Sequence, residues 1–255
     1  MSTAPQAWRE WRERRRAEFA EPHGWLSVTT LDWLAERPAA VPGLPGLWWA
    51  DAGGFHVDTA NAPGTVLVDG TPLSGTLLWD GTGAAPRVEQ DGRVFELLVR
   101  GLGRRAVRVR DPEAPALRGF RGIPVHDYDP RWRITATYRP YPEVRAVTVA
   151  SALPGVEHQQ RVSGAVEFEA DGARHVLAVN DGTWIAFEDA GDPSNHHGRW
   201  LDVDTTGDGP VVLDFNFAEN PPCAFTSFAT CPLPPAGNIL AVAVRAGERD
   251  PGNAS

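Results

Sequence analysis

Asp214, Asn216, Asn220, Cys223 and Cys231 all fall in residues 211–238, VVLDFNFAENPPCAFTSFATCPLPPAGN. A carboxylate, two carboxamides and two thiols can move protons, orient a substrate or attack it. No other part of the chain is so dense in such groups. The set suits acid–base chemistry on a small molecule, with Asp214 moving the proton and Asn216 and Asn220 orienting the substrate. Cys223 joins them as a candidate substrate contact. A nucleophilic cysteine also needs a base within reach, which spacing cannot supply, and buried inert thiols are the ordinary alternative.

Arg199 adds a cation to this set. In GRWLDVD it alternates with Leu201 and Val203, so it points with them toward the interior and needs an anionic partner there. That partner is either a protein carboxylate or a ligand carboxylate or phosphate gripped by the guanidinium fork. His196 and His197 lie just before it. Neighbours on a strand face opposite ways, so at most one histidine joins Arg199. We take Asp214, His197 and Arg199 as the candidate catalytic residues. Asn216, Asn220, His196, Asp189 and Cys223 are the candidate substrate-binding residues, Asp189 being a second carboxylate able to orient a histidine. The alternative for the histidines is a solvated loop pair. An adjacent His-His lacks the i, i+4 spacing of a helical zinc site, and no metal is expected.

In PVVLDFNF, Val211, Leu213, Phe215 and Phe217 share one face while Val212, Asp214 and Asn216 share the other. If the apolar face meets a core outside a barrel, Asp214 and Asn216 line its lumen. If the barrel interior is the core, they face water. The loop that starts at Asn220, Pro221 and Pro222 is longer than a hairpin needs, and Phe225 and Phe228 argue for order in it, which favours the lumen.

The elements that would position these residues follow from periodicity. Trp8, Trp11, Arg15 and Phe19 lie along one side of a helix over residues 5–20, with Pro5 suited to its first turn. Residues 23–36, HGWLSVTTLDWLAE, read as a second helix or a turn plus helix. Residues 1–37 thus form an N-terminal helical segment, ended by Pro38, Pro42, Gly43, Pro45 and Gly46. From 47 to 247 short apolar runs alternate with Gly, Asp and Asn. Asp91-Gly92, Asp171-Gly172 and Asn180-Asp181-Gly182 read as hairpin turns joining antiparallel strands. About a dozen strands with few helices imply a mainly β fold: a curled or closed antiparallel β-barrel-like meander with the helical segment packed on it. Residues 1–255 read as a single domain.

Composition fits a globular protein able to bury a core, at 42% hydrophobic and 22% charged residues. A net charge of −9 argues against nucleic acid or anionic membrane as a partner. No signal-like segment or long apolar run occurs, and two cysteines make no disulfide framework, so a cytoplasmic protein, monomeric or homodimeric, is expected. The sequence has no Walker loop, no G-x-G-x-x-G after a strand, no G-x-S-x-G elbow and no H-E-x-x-H, which leaves nucleotide-dependent, Rossmann and α/β-hydrolase chemistry unsupported.

Several stretches resemble a prokaryotic domain-of-unknown-function family, number 1684. They are WREWRERRRAEFAEPHGWLSVTTLDWL, FRGIPVHDYDPRWRITA and VVLDFNFAENPPCAFTSFATCPLPPAGNILAVAVRAGE. The family's Asp-Phe-Asn, Asn-Pro-x-Cys and Cys-Pro-x-Pro-Pro elements fall here on residues 214–216, 220–223 and 231–235, and its Gly-x-Arg element around Arg199. His196-His197 stands where members tend to carry Thr-Tyr. The resemblance carries motifs and no activity. The expected function is a small-molecule enzyme working by acid–base catalysis in a β-barrel pocket without a redox cofactor, by hydrolysis, elimination or cyclisation of a polar or anionic metabolite. The alternative is a non-catalytic small-ligand-binding barrel.

Overall fold

The side of the first helix that carries Trp8, Trp11, Arg15 and Phe19 is buried along its whole length in α1 (Gln6–Phe19), which Pro5 opens by accepting from the Arg9 N–H. The computed structural model describes residues 4–101, 103–191, 197–206 and 210–252. None of its helices is long and apolar enough to cross a membrane. By its contacts the chain divides into two units, residues 18–120 and residues 1–17 with 121–255.

Among the described residues, the unit of residues 18–120 holds nine strands: β1 (Val28–Trp33), β2 (Leu47–Asp51), β3 (Gly54–Asp58), β4 (Leu67–Val68), β5 (Thr71–Pro72), β6 (Thr76–Trp79), β7 (Val88–Gln90), β8 (Arg93–Arg100) and β9 (Arg104–Arg110). A short helix, α2 (Pro115–Gly119), follows. The strands form a sheet of order β1-β9-β8-β7-β4-β5 and a smaller one of order β2-β3-β6. Trp48, Phe55, Phe95 and Val107, all fully buried, are at the centre of their shared core. The expected second helix over 23–36 is instead a 3-10 turn, Trp25–Ser27, running into β1, which pairs antiparallel with β9. Val28, Thr29 and Thr30 are β-branched and suit a pleated strand, and the partner strand settles a period that the apolar residues leave ambiguous.

The other unit contains β10 (Arg133–Ala150), β11 (Glu157–Ala170), β12 (Ala173–Asn180), β13 (Trp184–Asp189), β14 (Arg199–Asp202), β15 (Pro210–Asp214) and β16 (Ile239–Leu240). Their order is β14-β13-β12-β11-β10-β15, with β16 parallel to β13. Asp91, Asp171 and Asp181 take φ of 50°, 48° and 47°, each followed by a glycine at positive φ. This is the twist that tight hairpins need, and it sets β7–β8, β11–β12 and β12–β13 as expected. In β10, five residues advance from Pro140 to Arg145 while β11 advances only two, and this bulge increases the curl.

The result is a mainly β unit whose antiparallel sheet curls into a half-barrel, with the N-terminal helix beside it. Its hollow side is a packed core: Phe168, Leu177, Ile185, Phe187, Leu213 and Phe215 are 4% exposed or less. Phe215 meets Trp132, Phe168 and Phe187 at ring-centroid distances of 5.3–6.0 Å. The lumen expected to be lined by Asp214 and Asn216 is therefore filled by apolar side chains.

Candidate functional site

Asp214 faces away from that core. Directly after β15, the chain turns through a 3-10 segment, Phe215–Phe217, and Glu219 pairs with the outer edge of β14. The Trp200 N–H donates to the Glu219 carbonyl, and the Glu219 N–H returns the bond, each at 2.8 Å. This bridge draws the two margins of the curled sheet toward one another and leaves a seam on the outer surface.

A cavity of about 630 Å³ lies at the seam. Trp11, Trp184, Trp200 and Phe217 give it aromatic walls, and Asp202, Asp214 and Glu219 bring carboxylates to it. Arg14 supplies a guanidinium, and the exposed Val212 lies at its rim on β15. Trp184 and Trp200 stand edge to face, 5.7 Å between centroids and 62° between planes, making a corner. Trp11 is edge-on to Phe217 at 5.4 Å.

Glu219 is held from α1 by two side chains. Its Oε1 accepts from the Trp11 indole N–H at 2.7 Å and lies 3.3 Å from Arg15 Nε. Among the described residues no hydrogen bond reaches Oε2. Burial raises its pKa above the usual carboxylate range, helped by the charges of Glu248 and Asp202, while Arg15 and Trp11 pull the other way. Asp214 Oδ1 accepts from the Asn216 N–H at 3.2 Å and from Asn216 Nδ2 at 2.8 Å, and Arg133 Nε lies 3.7 Å from its Oδ2.

Behind the Trp corner the sheet holds unmet polar groups. Asn180, 1% exposed, is the cross-strand neighbour of Trp184. Neither of its amide atoms, nor Trp200 Nε1, has a hydrogen-bond partner among the described residues.

Other sequence candidates lie elsewhere. Arg199 is 4% exposed; it pairs with Asp189 and donates to the carbonyls of Val244, Ala246 and Glu248. Of the two partners open to it, this is the protein carboxylate, and the arginine clamps β14 to the C-terminal segment. Arg199 and Asp189 line a second cavity of about 300 Å³ with His126, whose pKa is lowered by burial and then by Arg199. His197 is half-buried next to Gly198, and His196 lies outside the described residues. Asn216 is 1% exposed and, besides orienting Asp214, exchanges bonds with the Asp129 backbone. Asn220 is equally buried and donates its Nδ2 to the Arg249 carbonyl. Cys223 and Cys231 are buried thiols, not joined as a disulfide, that hydrogen-bond one another; that bond and burial push the Cys223 thiol up, away from thiolate. Among the described residues, no three His, Cys, Asp or Glu side chains could hold a metal ion together.

Sequence reasoning missed Glu219, Trp11, Trp184 and Trp200. One signal was available for Trp200, which alternates with Asp202 on the outer face of β14. Glu219 carries no motif, and the indole that holds it lies 208 positions away.

These features place the chain among mainly β proteins built on a curled antiparallel half-barrel, with a pocket on the outer seam. It belongs to the family described as protein of unknown function (DUF1684), whose model matches residues 118–249. No curated protein matches it. Among solved structures it is similar to an uncharacterized protein from Haloarcula marismortui, determined by solution NMR. Identity is 26% over 53% of this chain and 81% of that one, with a TM-score of 0.45.

Proposed function

We propose that the protein holds a small organic molecule in the seam pocket and acts on it by acid–base catalysis without a redox cofactor, as in hydrolysis, elimination or cyclisation. The observation that carries this reading is Glu219, an acid kept protonated to higher pH than usual, with Asp202 and Asp214 on the same lining. Such a carboxyl can give a proton to a leaving group while a neighbouring carboxylate takes one from the substrate or from water. Asp214 keeps the role of proton acceptor, oriented by Asn216, and Glu219 replaces the histidines as donor. The Trp184–Trp200 corner favours a second reading, a binding pocket with no turnover.

The two readings separate in one experiment. Wild type, Glu219→Gln and Val212→Arg are incubated with pooled metabolites; turnover is followed by NMR and binding by tryptophan fluorescence. Catalysis requires that Glu219→Gln bind but not convert, and that Val212→Arg, with its bulk at the rim, do neither. Binding by wild type with no conversion of any bound compound leaves the non-catalytic reading. Absence of binding by wild type refutes both.

A further inference from the structure

Resting on the seam pocket as the working site, we infer that its ligand is a neutral, polyhydroxylated ring of the pyranose type. The first reason is charge balance. Three carboxyl groups face the cavity; Arg133 lies 3.7 Å from Asp214, Arg14 shares the lining with Asp202, and Arg15 is shared between Glu248 at 2.8 Å and Glu219 at 3.3 Å. With Glu219 carrying its proton, as in the proposed function, the remaining carboxylates and guanidinium groups match in number, so no strong field of one sign selects an ion.

The second reason is shape. Two indoles at 62° offer one flat face and one edge, which fits a ring whose own faces are C–H and whose rim is hydroxyl. The third is hydrogen-bonding capacity. Asp214 can accept from a ligand hydroxyl, while the protonated open oxygen of Glu219 and Arg14 can donate to its neighbours. Trp200 Nε1, on the lining, is a donor without an acceptor, and the Asn180 amide behind it has both kinds of atom unmet. A hydroxyl both donates and accepts, so it can serve an unmet donor as well as an unmet acceptor. A purely apolar ring leaves these groups unmet, and a strongly charged one gains no net counter-charge.

The test is an indole N–H NMR titration of the full chain. The probes are the methyl pyranosides of glucose, galactose, mannose and N-acetylglucosamine, with benzyltrimethylammonium and benzoate as charged rings. At least one pyranoside should shift the Trp184 and Trp200 signals saturably, and the charged rings should need at least tenfold higher concentration. Val212→Arg should abolish the response, and its own indole spectrum reports whether it is folded. Charged rings that saturate at or below the concentration needed by every pyranoside would overturn the sugar inference while leaving the pocket in use. If no probe moves either signal, both the inference and the pocket reading fail.

Discussion

Replacing Arg15 with methionine keeps the aliphatic stem and removes the guanidinium that Glu248 depends on. Glu248 is 1% exposed and receives Arg15 Nε on Oε1 at 2.8 Å, Arg15 Nη2 on Oε2 at 3.3 Å and the Asn220 N–H on Oε2 at 2.6 Å. Gly247, at φ 75°, makes the turn that aims it: a Cβ there would come within 2.5 Å of the Ala218 carbonyl oxygen. In Arg15→Met only the Asn220 bond remains on a carboxylate cut off from water. Breaking one side of a buried pair costs about 3–5 kcal/mol. For a unit of this size that is a fall in Tm of roughly 6–20 °C, at about 2–4 °C per kcal/mol. Glu248→Gln leaves Arg15 a neutral acceptor together with the Asn220 carbonyl, and should cost less, about 1.5–3 kcal/mol. The double variant should cost less than the sum by at least about 1 kcal/mol, since neither partner is then stranded. Urea titration followed by tryptophan fluorescence measures all four corners of the cycle. A cost below about 1 kcal/mol for Arg15→Met, or strict additivity, would show that the pair does not hold α1 in place.

Glu219 and Asn238 give two further outcomes. The raised pKa of Glu219 means the folded protein binds its proton more tightly than the unfolded chain, so the associated stability is complete below the usual carboxylate range and is lost as pH rises through the folded value. Glu219→Gln should therefore gain on wild type in Tm as pH is raised from about 4.5 toward neutrality, and a pH-independent difference between them would contradict the burial argument. Asn238 donates to the carbonyls of Ala178 and Ala186 and accepts from the Ala178 N–H, tying the loop before β16 to β12 and β13. At about 1 kcal/mol per bond, Asn238→Ala should cost roughly 2–4 kcal/mol and speed hydrogen exchange at Ala178; unchanged protection there would count against the tie.

Much of the fold could be read along the chain because its determinants are local. The Asp91-Gly92, Asp171-Gly172 and Asp181-Gly182 pairs specify tight turns, alternation specifies which side of β14 and β15 is apolar, and the 3.6-residue stripe of α1 is complete within fourteen residues. The reading failed at residues 23–36, where local preference is divided and the pairing of β1 with β9 decides. It also favoured the wrong side of β15 for the lumen, since alternation separates the faces without saying which is buried and the long loop after Asn220 does not wall a lumen.

The sequence alone determined that Asp214 differs in direction from Leu213, that Arg199 points inward and needs an anion, and that the chain is built from antiparallel hairpins. The alternation ends at Asp214, because residues 215–217 turn as a 3-10 segment that buries Asn216 and brings Phe217 to the seam. Only the tertiary structure decided that the anion is Asp189, that the hollow of the half-barrel is filled, and that Asp214 opens onto an outer seam with Glu219 and three tryptophans. The reason is distance along the chain. Trp11 and Glu219 are brought to 2.7 Å by the curl of the sheet and the seating of α1, and no short-range pattern encodes a contact between residues so far apart.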